Sequence, residues 1–331
     1  MTNSTCQLQP SVATTVALPV IYSFLSTAGI FGNILSAWVF SRNSLTKRTQ
    51  YIYLSNLVKA NLLLCSTMPF LAAYFARGHQ WSYHSILCGI ANHAGTLIMH
   101  ISMYVTIIIL CSTAISQYAT VKKNSNARYS QPVNGTFYRC VLKKFCQPKF
   151  AKYLCRSIWL TVFCILTTAI AYNIKRNQGG SLHNCYNIKV EASEFTAMMA
   201  ASLGTACFFV PFVTVFLSYY SLTRHLSKIQ KNTCIGENHL IYSTVKRNIL
   251  VIHMILTVCF LPYHIFRPFF YVLLKNNDCL NLNYVVEIKN FLTCLAAAKS
   301  SLDPVINSLL DKTFKKNLYG LFTKSTPEHN K

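Results

Sequence analysis

Lys299 and Asp303 stand four residues apart in an apolar stretch near the end of the chain. An ammonium and a carboxylate at that spacing share one helix face. Inside a membrane each alone costs several kcal/mol, so together they predict an ion pair. Arg267 and Lys289 form a second set of cations, each near the end of an apolar run, with His264 one helical turn before Arg267. Converging cations hold an anion through charge-assisted hydrogen bonds. The plainer uses are snorkelling, or pairing with Glu287, Glu191 or Glu194. Lys59 interrupts another apolar run about 12 Å from its start, within snorkelling reach of a membrane surface. Enzyme chemistry has no comparable footing. No nucleophile–base constellation, phosphate loop or metal cluster occurs, and Cys140 and Cys146 lack zinc-site spacing. No catalytic residue, cofactor or metal is expected.

These residues sit in a chain built for lipid. Of 331 residues, 52% are apolar and only 12% charged, against about 25% charged in soluble domains. Lys and Arg number 31 against 8 Asp and Glu, a net charge of +23. In a soluble protein that excess would suggest nucleic acid. Here the first acidic residue is Glu191, and the cations cluster between long apolar runs. That arrangement marks cytoplasmic loops of a membrane protein, so no nucleic-acid partner is expected.

A membrane-spanning helix needs about 20 apolar residues. Candidate spans are 18–40, 51–75, a third within 88–121, 157–173, 195–223, 248–274 and 287–310. The last is the weakest, because it holds Lys289, Lys299 and Asp303. Loop charge tests it. The loops after spans one, three and five carry 17 Lys and Arg; those after two, four and six carry 5. The N-terminal tail has none and the C-terminal tail has five, which puts the first outside and the second inside. Opposite sides require an odd number of spans, so seven fits and six does not. No Lys or Arg precedes the first span, and no cleaved signal peptide is expected.

The predicted architecture is therefore an all-α membrane protein. It has an extracellular tail over 1–17, a seven-helix bundle over 18–310, and a cytoplasmic tail over 311–331. In that tail Phe314, Leu318, Leu321 and Phe322 fall on one face, opposite Lys312, Lys315 and Lys316. This periodicity suits a short helix on the inner membrane surface; a frayed tail is the alternative. Four cysteines lie outside, Cys6, Cys88, Cys185 and Cys279, and allow three disulfide connectivities. The sequon at Asn3 is outside and usable; that at Asn134 lies in the most basic loop and should be unmodified.

Short motifs then appear in order along the spans. They are Gly32-Asn33; Asn56-Leu57 with Ala60-Asn61-Leu62; Ser116-Gln117-Tyr118; Trp159; Pro211; Phe260-Leu261-Pro262-Tyr263; and Asp303-Pro304-Val305-Ile306-Asn307. This series resembles the class A G-protein-coupled receptors: N-L-x-x-A-D-L in helix two, the D-R-Y whose place Ser116-Gln117-Tyr118 occupies, F-x-P-[FY] in helix six and D-P-x-x-Y in helix seven. His264-Ile265-Phe266-Arg267 is similar to the H-x-x-[RK] of the purinergic nucleotide receptors. Lys289 stands where that branch carries a helix-seven lysine.

The resemblance implies a plasma-membrane receptor that transduces binding of an extracellular ligand to a heterotrimeric G protein, with membrane lipid around it. It implies a ligand pocket at His264, Arg267 and Lys289, and an activation switch at Ser116, Gln117, Tyr118, Tyr219 and Asn307. It selects Cys88–Cys185 and Cys6–Cys279 as disulfides. Two cations near the outer ends favour an anionic or lipid-like ligand, and an acid-free helix three disfavours an amine.

Departures from the pattern matter as much. Gln117 replaces the D-R-Y arginine and Asn307 the helix-seven tyrosine. Asn61 and Lys299 touch the place where relatives hold sodium. The Cys88-to-Gln117 interval is 29 residues, about one turn longer than the family's. A receptor-shaped protein without conventional coupling is thus the second reading. A transporter or channel is remote, since spans one to four hold no Asp or Glu. An opsin is disfavoured because Lys299 lies two residues too close to Asp303-Pro304.

Overall fold

Every regular element among the described residues is helical, which satisfies backbone hydrogen bonds without water. The structure is a computed structural model and describes residues 10–41, 48–78, 97–129, 136–177, 195–232, 238–276, 279–310, 314–316 and 319–320. A π-helical turn, Ala13–Ala17, leads into α1 (Leu18–Ser41). There follow α2 (Thr49–Ala76), α3 (Met99–Tyr129), the short α4 (Thr136–Phe145), α5 (Pro148–Asn177) and α6 (Phe195–Asn232). Then α7 (Asn238–Ile255) passes through a second π turn (Leu256–Phe260) into α8 (Leu261–Asn276), and α9 (Cys279–Leu310) closes the series.

Six of these stretches are long and apolar enough to cross a membrane: Ala13–Ser41, Thr49–Ala76, Met99–Lys123, Pro148–Thr168, Ala201–Arg224 and Ser243–Leu273. The helix α9 is long but is not among them, since Glu287, Lys289, Lys299 and Asp303 lower its apolar character. Several helices run past their apolar stretches. Helix α3 continues through the polar residues up to Tyr129, and α6 through those up to Asn232. Once a helix has started, each further residue adds a hydrogen bond at little cost.

The residues on the outside of the bundle are the ones a soluble protein would hide. Phe31 on α1 is 73% exposed, Phe163 on α5 65% and Val210 on α6 70%. The interior is apolar too, with Tyr22, Tyr53, Leu64, Met68, Phe208 and Phe260 buried. Helices apolar on every side suit a lipid surround. Proline lies inside α2 (Pro69), α6 (Pro211), α8 (Pro268) and α9 (Pro304). Pro262 has a visible consequence. It cannot donate to the preceding turn, and the helix widens just before it, with Leu261 N–H bonding Leu256 O, five residues back.

Close helix approach needs a small residue at Gly29. A Cβ there would collide with Cys65 Sγ of α2 and Ser301 Oγ of α9. Beyond α9, residues 314–316 and 319–320 are helical, and the buried Phe314 packs on Phe40, ring centroids 5.3 Å apart. Leu318, Leu321 and Phe322 lie outside what is described of side chains.

Candidate functional site

Lys299 and Asp303 face each other one turn apart on α9. Lys299 Nζ meets Asp303 Oδ2 at 2.5 Å, with the two residues 1% and 3% exposed. Asn61 of α2 donates to the same Oδ2 at 2.6 Å. Its Nδ2 also reaches Asn33 Oδ1 of α1 at 3.1 Å. Asn33 in turn donates to Gly29 O and Ser300 O, at 2.8 and 2.9 Å. One buried polar chain thus joins α1, α2 and α9. Its members are an i, i+4 ion pair and two asparagines from neighbouring helices, which close approach at Gly29 brings within reach.

A cavity of about 790 Å³ opens at one end of the bundle and reaches Asp303. Arg48, Thr244 and Arg247 contribute to its lining, and deeper inside it meets Ser116 and Gln117 of α3, Asn248 of α7, and Asn307 of α9. Gln117 is buried, and its Oε1 has no hydrogen-bond partner; the same holds for Asn248 Oδ1 and Asn307 Nδ2. Buried amides left open cost free energy, so the cavity wall offers hydrogen bonds to an occupant. Three of the expected switch residues, Ser116, Gln117 and Asn307, therefore share one space with Asp303. Tyr118 and Tyr219 do not line it. Tyr118 is buried beneath Lys122, and Tyr219 is half-buried with its carbonyl accepting from Thr223 at 3.0 Å.

The cations of the other half lie among aromatic rings. Arg267 Nη1 donates to Tyr104 Oη of α3 at 2.9 Å, and the guanidinium lies 5.8 Å from the Tyr263 ring centre. Lys289 Nζ stands 5.0 Å over Phe270. His264 is fully buried, stacked on Phe208 at 4.3 Å and 5.5 Å from Tyr104. Neither of its ring nitrogens has a hydrogen-bond partner. Tyr263 contacts His100 through its hydroxyl. Gly204 of α6 makes room for this cluster, since a Cβ there would strike Tyr104. Glu287 accepts from Ser11 N at 3.0 Å and so ties the N-terminal segment to α9. Arg267 and His264 therefore converge on Tyr104, whereas Lys289 is held on a separate ring.

Other expected residues fall elsewhere. Cys6, Cys88, Cys185 and Asn3 lie outside the described residues, and Cys279 opens α9 with its side chain undescribed. Among the described side chains, Cys65, Cys111, Cys146, Cys155, Cys164, Cys207, Cys259 and Cys294 are free thiols.

Comparison with known proteins sets this architecture in its class. Residues 32–306 match the seven-transmembrane receptor (rhodopsin family). The chain belongs to that family. It is 48% identical over 331 residues to human "Probable G-protein coupled receptor 82", covering 99% of this chain and 98% of the relative. The mouse protein of the same name is 47% identical, over 98% of this chain and all of the relative. "Probable G-protein coupled receptor 34" of Pan troglodytes is 26% identical, over 95% and 77%. Family membership and six apolar helices make this a multi-pass plasma-membrane receptor, not an enzyme.

Sequence reasoning passed over four residues that the family's geometry brings into play. Tyr104 and His100 lie in an uncharged span and carried no signal beyond polarity. Asn248 was read only as the start of a span. Asn33 was noted as a motif, but its bonds to Asn61 and Ser300 depend on helix packing.

Proposed function

We propose that this receptor transduces binding of an extracellular anionic or lipid-like ligand to an intracellular heterotrimeric G protein. The observation that carries the reading is the cavity itself: it runs from Arg48 and Arg247 at the basic end to Gln117, Asn307 and the Asp303 pair. An occupant there touches α3, α7 and α9 at once, so its binding is linked to their packing. The basic end faces the cytoplasm, as loop charge indicates. The N-terminus is then outside, α9 is the seventh span, and the segment from Phe314 forms an eighth, amphipathic helix on the inner surface. Cys88–Cys185 and Cys6–Cys279 are the outer disulfides, and Asn3 is glycosylated.

Ligand chemistry follows from charge. Arg267 and Lys289 supply two cations, helix three supplies no carboxylate, and Phe270 and Tyr263 supply apolar surface beside them. A phosphate or carboxylate on an apolar body fits such a pocket.

A second reading is favoured by one residue. Gln117 is uncharged and shorter than arginine, so it lacks the fixed fork of donors a guanidinium offers. On this reading the protein keeps the receptor shape but couples weakly or not at all. A panel of second-messenger assays in unliganded cells, comparing the natural chain with Gln117→Arg at equal surface expression, separates the two. Signal from the natural chain supports coupling. Signal only from the variant supports the second reading, and none from either overturns the G-protein assignment.

The family's intramembrane sodium does not fit here. Asn61 is neutral, and the Lys299 ammonium already holds Asp303 Oδ2. No ion-dependent step is assigned to this receptor.

A further inference from the structure

Cys146 sits in the turn between α4 and α5 and lines the cavity that reaches Asp303. Thr49 Oγ1 of α2 donates to its carbonyl at 2.9 Å, and Gln147 N–H bonds Lys144 O at 2.9 Å, so the turn is held in place. The thiol is free and half-buried, with Thr120 Oγ1 of α3 at 3.7 Å from the sulfur. Thr120 also lines the cavity, and Gln117, three residues earlier on α3, lies about 4.5 Å further in on the same face. The other described thiols are placed differently. Cys65, Cys155, Cys259 and Cys294 are buried, and Cys164 and Cys207 stand on the apolar outside of α5 and α6. Among the described residues, Cys146 is the free thiol that lines the cavity.

Two further observations point to a ligand. Gln117 is 8% exposed and its Oε1 has no hydrogen-bond partner, so the wall one turn beyond Thr120 holds an open acceptor. The mouth is also basic. Arg48 and Arg247 line it, and the exposed Lys143, Lys144 and Lys149 flank Cys146 in the chain. The carboxylate in the lining, Asp303, is already bound to Lys299. A concave opening of one charge sign concentrates ions of the other. Where the anion drawn in is itself a disulfide, a thiol at the mouth can capture it covalently.

We propose that Cys146 is the site of a reversible mixed disulfide with an anionic low-molecular-weight disulfide, of the chemistry of glutathione disulfide. The Cys146 thiolate attacks one of its sulfurs, the S–S bond of the reagent breaks, and a new S–S bond joins that sulfur to Cys146. The departing thiolate takes up the proton that Cys146 gave up. Cys146 is oxidised and the departing half is reduced, so no other oxidant enters. The captured half is a peptide whose carboxylates meet the arginines and whose amide N–H groups reach Gln117 Oε1. It closes the cavity from its mouth. That this happens in the cytosol and excludes a G protein rests on the reading under Proposed function; the thiol chemistry does not.

The purified full chain in detergent has both faces open and tests the site alone. It is incubated with glutathione disulfide, or with the cationic disulfide cystamine, and modification of Cys146 is followed by peptide mass spectrometry without reductant. Arg48→Gln with Arg247→Gln should slow capture of glutathione about tenfold, as charge focusing at a cleft predicts, and should not slow capture of cystamine. Gln117→Leu should shift the equilibrium against reduced glutathione toward release about fivefold, the loss of one hydrogen bond. A Cys146 that stays unmodified overturns the proposal, and so does a glutathione rate that the arginine changes leave as it was. An unchanged equilibrium in Gln117→Leu overturns the seat inside the cavity. GTP exchange on a purified G protein, measured before and after the reaction, tests the consequence separately. Exchange lost on modification and regained with reduced glutathione supports a block, and exchange that persists in a fully modified receptor overturns it. A reduced receptor that drives no exchange counts against the coupling under Proposed function, not against the site.

Discussion

The two charged regions of this receptor solve the same problem in opposite ways. At Asp303 the charges are closed: Lys299 and Asn61 both hold one carboxylate oxygen, and Asn33 extends the chain into α1. In the other region Arg267 and Lys289 rest on Tyr104, Tyr263 and Phe270. Aromatic faces and hydroxyls hold a cation without neutralising it. A closed buried pair fixes helices; cations among aromatic rings can add an anion without first giving up those rings. The first region should therefore govern folding and the second recognition.

The largest effect should come from breaking the closed region. Lys299→Ala leaves Asp303 buried with only Asn61 as donor. Losing one partner of a buried pair costs about 3–5 kcal/mol, enough to unfold much of a marginal membrane protein. Surface expression by flow cytometry should fall severely, and Lys299→Ala with Asp303→Ala should recover much of it. If the single variant reaches the surface normally, the pair is not structural.

Recognition should show a smaller effect. For an agonist with an acidic group, Arg267→Ala or Lys289→Ala should cut potency about tenfold, which corresponds to about 1.4 kcal/mol, with expression unchanged. An acidic agonist that tolerates both changes together would remove the distinction between the two regions.

The cavity beside Asp303 gives a subtler test. Gln117→Arg places a permanent cation where an amide with an open Oε1 now lies. Basal second-messenger output should rise a few-fold at matched expression, on the order of 1 kcal/mol of population shift. Unchanged output would mean that the cavity's hydrogen-bonding chemistry does not limit coupling.

How much of this was legible in the sequence depended on how local each contact is. The Lys299–Asp303 spacing states its own pairing, because i and i+4 share a face. The spans were legible from apolar runs, and the weakness of the last from Lys289, Lys299 and Asp303. Helix ends were not, since polar residues at the water boundary continue a helix without an apolar signal, as α3 does to Tyr129. His264 and Arg267 were read together because they are three residues apart. The rings they meet, Tyr104 for both and Phe208 beneath His264, come from other helices. Helix packing decides which neighbour a side chain finds, and no spacing within one helix encodes that. The cavity shared by Gln117, Asn307 and Asp303 was invisible for the same reason: it exists only between helices.

The smallest expected effect is no effect, and it tests the closed region most directly. Replacing sodium with choline at constant ionic strength should leave basal signalling and thermal stability of the natural receptor unchanged. The Lys299 ammonium lies 2.5 Å from Asp303 Oδ2, and Asn61 adds no negative charge. A sodium ion entering beside that ammonium would meet repulsion of about 4 kcal/mol at 4 Å with an effective dielectric constant of about 20. On this prediction the tethered cation takes the ion's place, while Asn61 links α2 to the same Asp303 oxygen. An absent response alone is weak proof, so a reversal completes it. Asn61→Asp with Lys299→Ala removes the ammonium and leaves two carboxylates facing each other, which repel unless a cation joins them. That double variant should gain sodium-dependent thermal stability that choline does not reproduce. Sodium sensitivity in the natural chain, or its absence in a double variant that folds, would show that Lys299 is not what excludes the ion.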